Sequence, residues 1–92
     1  MVSTQNENLI TMIPNPFKGS FTVNIKVLAD SDPVSLMVYD LTGRLLYEYQ
    51  GKEEFGMHKY NVPVNSGASM LIVKACSGSY CKSQKMIQNE MQ

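Results

Sequence analysis

The chain is short of the residues from which most catalytic and metal-binding sites are built. Its 92 residues include one histidine, two cysteines and no tryptophan. A structural zinc site generally takes four cysteine or histidine ligands, and His58, Cys76 and Cys81 supply only three. No Gly-x-Ser-x-Gly turn is present to expose a serine nucleophile. We therefore expect no enzymatic activity, no catalytic residues, no small-molecule substrate, no cofactor and no metal.

An excess of either charge is also absent. Eight basic residues balance eight acidic ones, so the formal net charge is zero. Nucleic-acid binding needs a clustered surplus of lysine and arginine, so we expect no nucleic-acid partner. The same balance gives no polybasic attraction to an anionic membrane. The longest apolar runs, such as residues 70–73, are far shorter than the roughly 20 residues of a membrane-spanning helix.

The first eight residues lack the features of a secretory signal. They are polar, with neither a basic start nor an apolar stretch behind it. We expect residues 1–8 to be a lead-in, residues 9–88 to form one domain and residues 89–92 to be a polar tail. A secreted protein would then carry its signal elsewhere, so we expect this chain to be the C-terminal part of a larger protein.

Helical periodicity is missing, and short β-rich runs occupy the chain instead. Turn residues separate these runs at intervals of about 8–12 residues, which is typical of an antiparallel sandwich or barrel. The strands are predicted at residues 9–13, 20–28, 34–39, 44–50, 57–62, 69–76 and 81–88, and residues 69–76 are apolar enough to lie centrally. Alternation in two of them predicts an inner face made of Phe21, Val23, Ile25, Val27, Val34, Leu36 and Val38.

Two turns have recognisable residue chemistry. Pro14, Asn15 and Pro16 predict a reversal that ends at Gly19, because asparagine suits the first turn position and proline fixes φ at the next. Glycine can then take a positive φ on leaving the turn.

The second turn begins at Asp40 and ends at Gly43, just before Arg44. Aspartate at the first position and glycine at the fourth predict a type I turn, with Gly43 in a left-handed bulge that sets the hairpin. Residues 51–55 are predicted to be a charged loop.

Cys76 and Cys81 flank four residues that read as the loop of a hairpin. Opposed residues in such a hairpin have Cβ atoms about 4.5–5.5 Å apart, close to the distance that a disulfide bridges. The pair is either a cross-strand disulfide in an oxidising compartment or two reduced thiols. The spacing is not the two-residue gap of a redox motif, so thiol-exchange catalysis is not expected.

Four acidic residues lie in predicted loops. Asp30 and Asp32 could contribute to a calcium site, or they could only solvate and shape the loop. Glu53 and Glu54 are interpreted as a solvated charged tip.

The remaining candidates are aromatic. His58 is predicted to face solvent on a strand. Tyr47, Tyr49 and Phe55 are either an exposed platform for sugar rings or, for two of them, packing residues of the core.

An ordered set of motifs resembles one family. The motifs are residues 13–23 (IPNPFKGSFTV), residues 38–44 (VYDLTGR), a glycine at 67, residues 71–74 (LIVK) and a basic final strand. Together they span about residues 10–88 and resemble the C-terminal sorting domains of type IX secretion systems. The resemblance implies a seven-stranded, antiparallel, immunoglobulin-like β-sandwich at the end of a secreted protein.

The resemblance also implies a route and partners. Such a protein passes through the periplasm and is recognised by the outer-membrane translocon; a sortase-like peptidase then removes the domain, and the cargo is attached at the cell surface. The signal would lie in the last two strands, with Gly67, Lys74, Lys82, Lys85, Met86 and Ile87 as its candidate residues.

Other interpretations of these strands remain open. The two lysines of the last strand could contact the export machinery or guard a sheet edge against aggregation. The same edge could form a homodimer. The alternative function is an extracellular fibronectin-like spacer or a carbohydrate-binding module.

Overall fold

A computed structural model of the chain describes residues 9–64 and 69–88. These residues form seven strands and no helix, so no helix long and apolar enough to cross a membrane occurs in them. The strands are β1 (Ile10–Lys18), β2 (Ser20–Val27), β3 (Asp32–Asp40), β4 (Leu45–Glu53), β5 (Gly56–Pro63), β6 (Met70–Ser77) and β7 (Tyr80–Ile87).

All the strand pairs are antiparallel, and they form two sheets with the orders β1-β2-β5 and β4-β3-β6-β7. This is the arrangement of an immunoglobulin-like sandwich, so the predicted fold class is confirmed. The prediction that residues 69–76 lie centrally is confirmed as well, because β6 pairs with both β3 and β7.

The core lies between the inner faces of the two sheets. Alternation in β2 and β3 is confirmed, since every second side chain of each strand is buried. β6 adds Leu71, Val73 and Ala75 to the same core, each with an exposed fraction of 0%. The rings of Phe17 and Phe21 meet edge to face, with centroids 5.0 Å apart, at the end where β1 turns into β2. Burial of these apolar side chains is the main stabilisation that the fold has.

The first strand differs from its prediction. β1 does not end at residue 13 but continues to Lys18, and the chain reverses only at Gly19, where φ is +80°. The predicted turn at Pro14, Asn15 and Pro16 is therefore wrong in position; both peptide bonds that precede these prolines are cis. The register with β2 is interrupted between Ile13 and Lys18. A strand interrupted in this way tolerates prolines because their missing N–H groups have no ladder bond to make.

The turn at Asp40 forms as predicted. Gly43 has φ of +93°, and its N–H donates to the Asp40 carbonyl at 3.0 Å. The Asp40 side chain closes the loop further: Oδ1 accepts from the Thr42 hydroxyl at 2.6 Å and from the Arg44 N–H at 3.0 Å. These two bonds lower the pKa of the Asp40 carboxyl, with Thr42 as the larger cause.

The fourth strand is longer than predicted. Residues 51–53 were expected in a charged loop, but they pair with residues 32–34 of β3 and extend β4 to Glu53. Pairing with a neighbouring strand satisfies backbone groups that a loop would have left to solvent.

Candidate functional site

The last two strands lie at one side of the four-stranded sheet, where β7 is the edge strand. Successive side chains of β6 and β7 point to opposite faces of the sheet. One face packs on the core. The other, which we call the outer face, looks away from the three-stranded sheet. The predicted signal residues divide between these two environments.

Lys74, Lys85 and Ile87 are exposed on the outer face, and the exposed fraction of Ile87 is 43%. Met86 is a core residue with an exposed fraction of 0%. The sixth candidate, Gly67, lies outside the described residues.

Lys82 has a different environment from the other two lysines. It is half-buried, and its Nζ donates to the carbonyl oxygen of Ile10 at 3.1 Å. The lysine thus ties β7 to β1 across the side of the sandwich. Its ammonium is engaged within the domain, whereas the ammonium groups of Lys74 and Lys85 extend from exposed residues.

The side chain of Asn15 binds the backbone of β7 in the manner of a neighbouring strand. Its Nδ2 donates to the Lys85 carbonyl at 3.1 Å, and its Oδ1 accepts from the Ile87 N–H at 3.0 Å. Phe17 then forms a parallel bridge with Gln88. The C-terminal half of the β7 edge is therefore covered by β1. Sequence reasoning missed this contact because it assigned Asn15 to a local turn.

Among the described residues, none pairs with the N-terminal half of the β7 edge, which is open in this part of the chain. In an antiparallel strand, the N–H and C=O groups of alternate residues point to the same side. The Lys85 C=O and the Ile87 N–H point away from β6, whereas the Gln88 N–H donates towards β6, to the Ser69 carbonyl. The backbone N–H and C=O groups of Cys81 and Ser83 therefore also point away from β6. No described residue hydrogen-bonds to these groups.

The two cysteines lie opposite each other where this open half begins. Cys76 pairs with Cys81 across β6 and β7, and their sulfur atoms are bonded at 2.06 Å with Cα atoms 4.0 Å apart. The turn between the strands is tighter than predicted, because Ser77 and Tyr80 already pair and only Gly78 and Ser79 connect them. The bond fixes the hairpin beside its turn.

A shallow pocket of about 370 Å³ lies next to the disulfide. Its lining combines small, polar and apolar residues from three strands and the last turn: Pro33, Val34, Ser35, Gln50, Gly51, Lys52, Cys76 and Gly78. The side chains of Ser35 and Gln50 are opposite one another in the β3–β4 register, so the pocket belongs to the same sheet as β7.

The other side of the sandwich, between β4 and β5, is closed by a cluster around Glu53. Its Oε2 accepts from the Tyr49 hydroxyl at 2.6 Å and from the Tyr60 hydroxyl at 3.0 Å. His58 Nδ1 lies 3.7 Å from Oε1 of the same carboxyl. We call Tyr49, Glu53, His58 and Tyr60 the Glu53 cluster.

Hydrogen bonding shifts the titration of this cluster. Hydrogen bonds from the Tyr49 and Tyr60 hydroxyls lower the pKa of the Glu53 carboxyl, and the bond from Tyr49 is the larger cause. The bond to the carboxylate raises the pKa of Tyr49. Burial, followed by the same carboxylate, raises the pKa of Tyr60. The cluster therefore keeps Glu53 ionised and both phenols protonated, and this state links the two sheets.

The cluster changes several sequence interpretations. Tyr49 points inward and stacks on Tyr60 with ring centroids 5.2 Å apart, and Tyr47 packs on the core, so only Phe55 of the proposed platform is exposed, at 65%. His58 was predicted to face solvent, which is wrong. Its position opposite Ile25 turns it toward the sandwich, where its Nε2 hydrogen-bonds with the Glu54 carbonyl.

The loop aspartates make local contacts. The Phe55 N–H donates to Asp30 Oδ1 at 2.8 Å, and Asp32 is the first residue of β3. Within residues 9–64 and 69–88, no group of three or more histidine, cysteine or acidic side chains is arranged to hold a metal ion.

Charge is distributed unevenly over the two ends of the chain. Residues 69–88 contain three lysines and no acidic residue, whereas residues 9–64 contain five basic and six acidic ones. The hairpin of β6 and β7 is thus a positive region of a neutral chain. A partner of this region is expected to carry complementary negative charge.

Comparison of the sequence with known proteins identifies a family whose matched span coincides with the sandwich. No curated protein matches the chain. A family model described as the secretion system C-terminal sorting domain matches residues 11–89, and this span includes almost all of β1 and every later strand. The family serves type IX secretion and is generally non-catalytic. With the sandwich and its last hairpin in the matched span, the chain belongs to the secretion system C-terminal sorting domain family.

Proposed function

We propose that this chain is the export address of a larger cargo protein, which crosses the outer membrane through the type IX translocon. The match to the sorting-domain family over residues 11–89 is the observation that carries the proposal. Residues 9–88 act as the folded address, with residues 1–8 as the linker from the cargo and residues 89–92 as a tail. The protein passes through the periplasm and ends at the cell surface or in the medium.

Recognition on this proposal takes place on the outer face of β6 and β7. Lys74, Lys85 and Ile87 are exposed there and can touch a partner directly. Met86 and Lys82 act through the fold: the first anchors β7 in the core, and the second holds it against β1. Gly67 belongs to the same signal by its position in the family motif.

The address works by binding and has no chemistry of its own. A rigid hairpin presents its side chains without first being ordered, so less binding energy is lost to conformational entropy. After translocation, a sortase-like peptidase cuts within or near residues 1–8 and the cargo is attached to the surface. The Cys76–Cys81 bond suits the oxidising periplasm through which the domain would travel.

The proposal is tested with a periplasm-targeted fluorescent protein fused to residues 1–92 in a host that has a type IX system. The comparison fusion lacks residues 81–92. Reporter at the surface or in the medium only with the full chain is the expected result. Reporter retained in the periplasm in both cases would overturn the proposal and favour a binding module.

A charge-reversal pair identifies the surface. Lys74→Glu combined with Lys85→Glu is expected to reduce export at least several-fold. The control, Lys18→Glu combined with Lys59→Glu, changes the same number of exposed charges on the other sheet. Equal export of both double variants would contradict recognition on the outer face of β6 and β7.

A further inference from the structure

We propose that residues 81–85 of β7, which we call the open edge segment, bind an extended acidic segment of the export machinery as an added β-strand. This inference rests on the proposed function and specifies the chemistry of the partner.

The open edge segment has the backbone groups that strand addition requires. Cys81 and Ser83 each direct an N–H and a C=O away from β6, and Lys85 directs its N–H the same way. No described residue hydrogen-bonds to these groups. An extended peptide beside β7 would pair with them as it does with other exposed sheet edges.

The site has a defined length. At its far end, Asn15 already occupies the Lys85 carbonyl and the Ile87 N–H, and Phe17 bridges to Gln88. A partner strand therefore stops near Lys85 instead of running along the whole edge. Five residues at about 3.3 Å each span roughly 16 Å, so the partner contributes a short segment.

The charge of the hairpin selects the composition of the partner. Lys74 and Lys85 are exposed on the outer face, and residues 69–88 contain no acidic side chain to neutralise them. Every second side chain of an added strand would project from the outer face, and one of these side chains would lie beside Lys85. Aspartate or glutamate at those positions complements the lysines, whereas lysine or arginine would be repelled.

Both ends of the open edge segment are held in place before a partner arrives. The disulfide joins Cys81 to Cys76 on the central strand β6, and the Asn15 side chain holds Lys85 and Ile87. A fixed edge loses little conformational entropy when a second strand is added to it.

Proline substitution tests the backbone pairing. Ser83→Pro removes an N–H that makes no bond within the sheet and places a ring on the edge, where proline is tolerated in folded proteins. Ser83→Ala removes the hydroxyl and keeps the N–H, so it is the matched control. In the fusion assay, export is expected to fall at least tenfold with proline and to stay within twofold of wild type with alanine.

Folding is measured on the same variants. Melting temperature and free-thiol content of each purified chain identify a proline variant that fails only because it does not fold. If Ser83→Pro is unfolded, cross-linking from position 83 gives an independent answer. If the wild-type fusion is exported and a folded Ser83→Pro variant is exported equally well, strand addition is overturned and the proposed function stands. If the wild-type fusion is not exported, the proposed function itself is overturned.

A photo-cross-linking amino acid placed at Ser83 identifies the partner segment, with the same amino acid at Asn61 on the opposite edge strand β5 as control. The expected product joins position 83 to an acidic segment of an outer-membrane secretion component, and position 61 does not give it. A cross-link to a second copy of this chain, to a neutral or basic segment, or equally from both positions would overturn the inference.

Discussion

The N–H of Ile87 donates a hydrogen bond to the side-chain oxygen of Asn15, a residue 72 positions earlier in the chain. The amide of the same side chain also donates to Lys85. One asparagine thus satisfies two backbone groups of the last strand, as a paired strand would. This contact joins the edge of one sheet to a strand of the other.

Loss of the Asn15 side chain should loosen the end of β7. Asn15→Ala removes two hydrogen bonds, each worth about 0.5–1.5 kcal/mol, so we expect about 1–3 kcal/mol of destabilisation. The N–H of Ile87 should exchange with deuterium much faster, while that of Gln88, which donates to Ser69, should be less affected. Lys18→Ala, on the same strand, is the control. Unchanged exchange at Ile87 in Asn15→Ala would contradict the role of this contact.

The disulfide should contribute stability without determining the fold. Cys76 and Cys81 are separated by five positions, and closing so short a loop is worth about 2 kcal/mol in the chain-entropy model. The double variant Cys76→Ser, Cys81→Ser should therefore unfold at lower guanidinium concentration and keep its β-sheet circular dichroism. A double variant as stable as wild type under oxidising conditions would show that the bond adds nothing.

Acid should weaken the link between the two sheets. The carboxyl of Glu53 has a lowered pKa in the fold, so its stabilisation is complete above its ordinary value of 4.5 and is lost as pH falls through the folded-state pKa. Glu53→Gln should be less stable than wild type at pH 7, and the difference should shrink below about pH 4.5. Denaturation midpoints across this range measure it. Glu48→Gln, an exposed change on the same strand, should leave the pH profile nearly unchanged.

The positive φ of Gly43 gives a prediction about the hairpin between β3 and β4. A Cβ at this position would meet no atom within 4 Å, so the cost of substitution comes from the backbone alone. Gly43→Ala should destabilise the domain by about 1–2 kcal/mol. Gly43→Asn should cost less, because asparagine enters the left-handed region more readily. Equal melting temperatures for the two variants would argue against this explanation.

The sequence alone was sufficient to predict those parts of the structure that depend on residues close together in the chain. The alternation of Phe21, Val23 and Ile25 predicted a strand with one buried face, because a strand repeats every two residues. Asp40 and Gly43 predicted their turn because the required bonds lie within five residues. The resemblance of ordered motifs then supplied the family, which no single motif could have done.

Sequence reasoning was less successful where the partner of a residue is distant. Pro14 and Asn15 have the chemistry of a local turn, but Asn15 binds β7, and nothing in the residues around it encodes that partner. His58 and Tyr49 likewise share Glu53 as a partner only because β4 and β5 lie at the same side of the sandwich. Such contacts depend on how the sheets stack, and periodicity carries no information about stacking.

The attachment of β1 to β7 has a consequence for synthesis. The ribosome makes Asn15 long before Lys85 and Ile87, so the side of the sandwich that contains β7 cannot close until the last strand of the domain has been made. A truncated product would lack the strand that Asn15 binds and would leave β6 as an unprotected edge. The folded domain therefore reports that translation reached its final strand, and an export system that accepts only this fold would reject a domain that lacks β7.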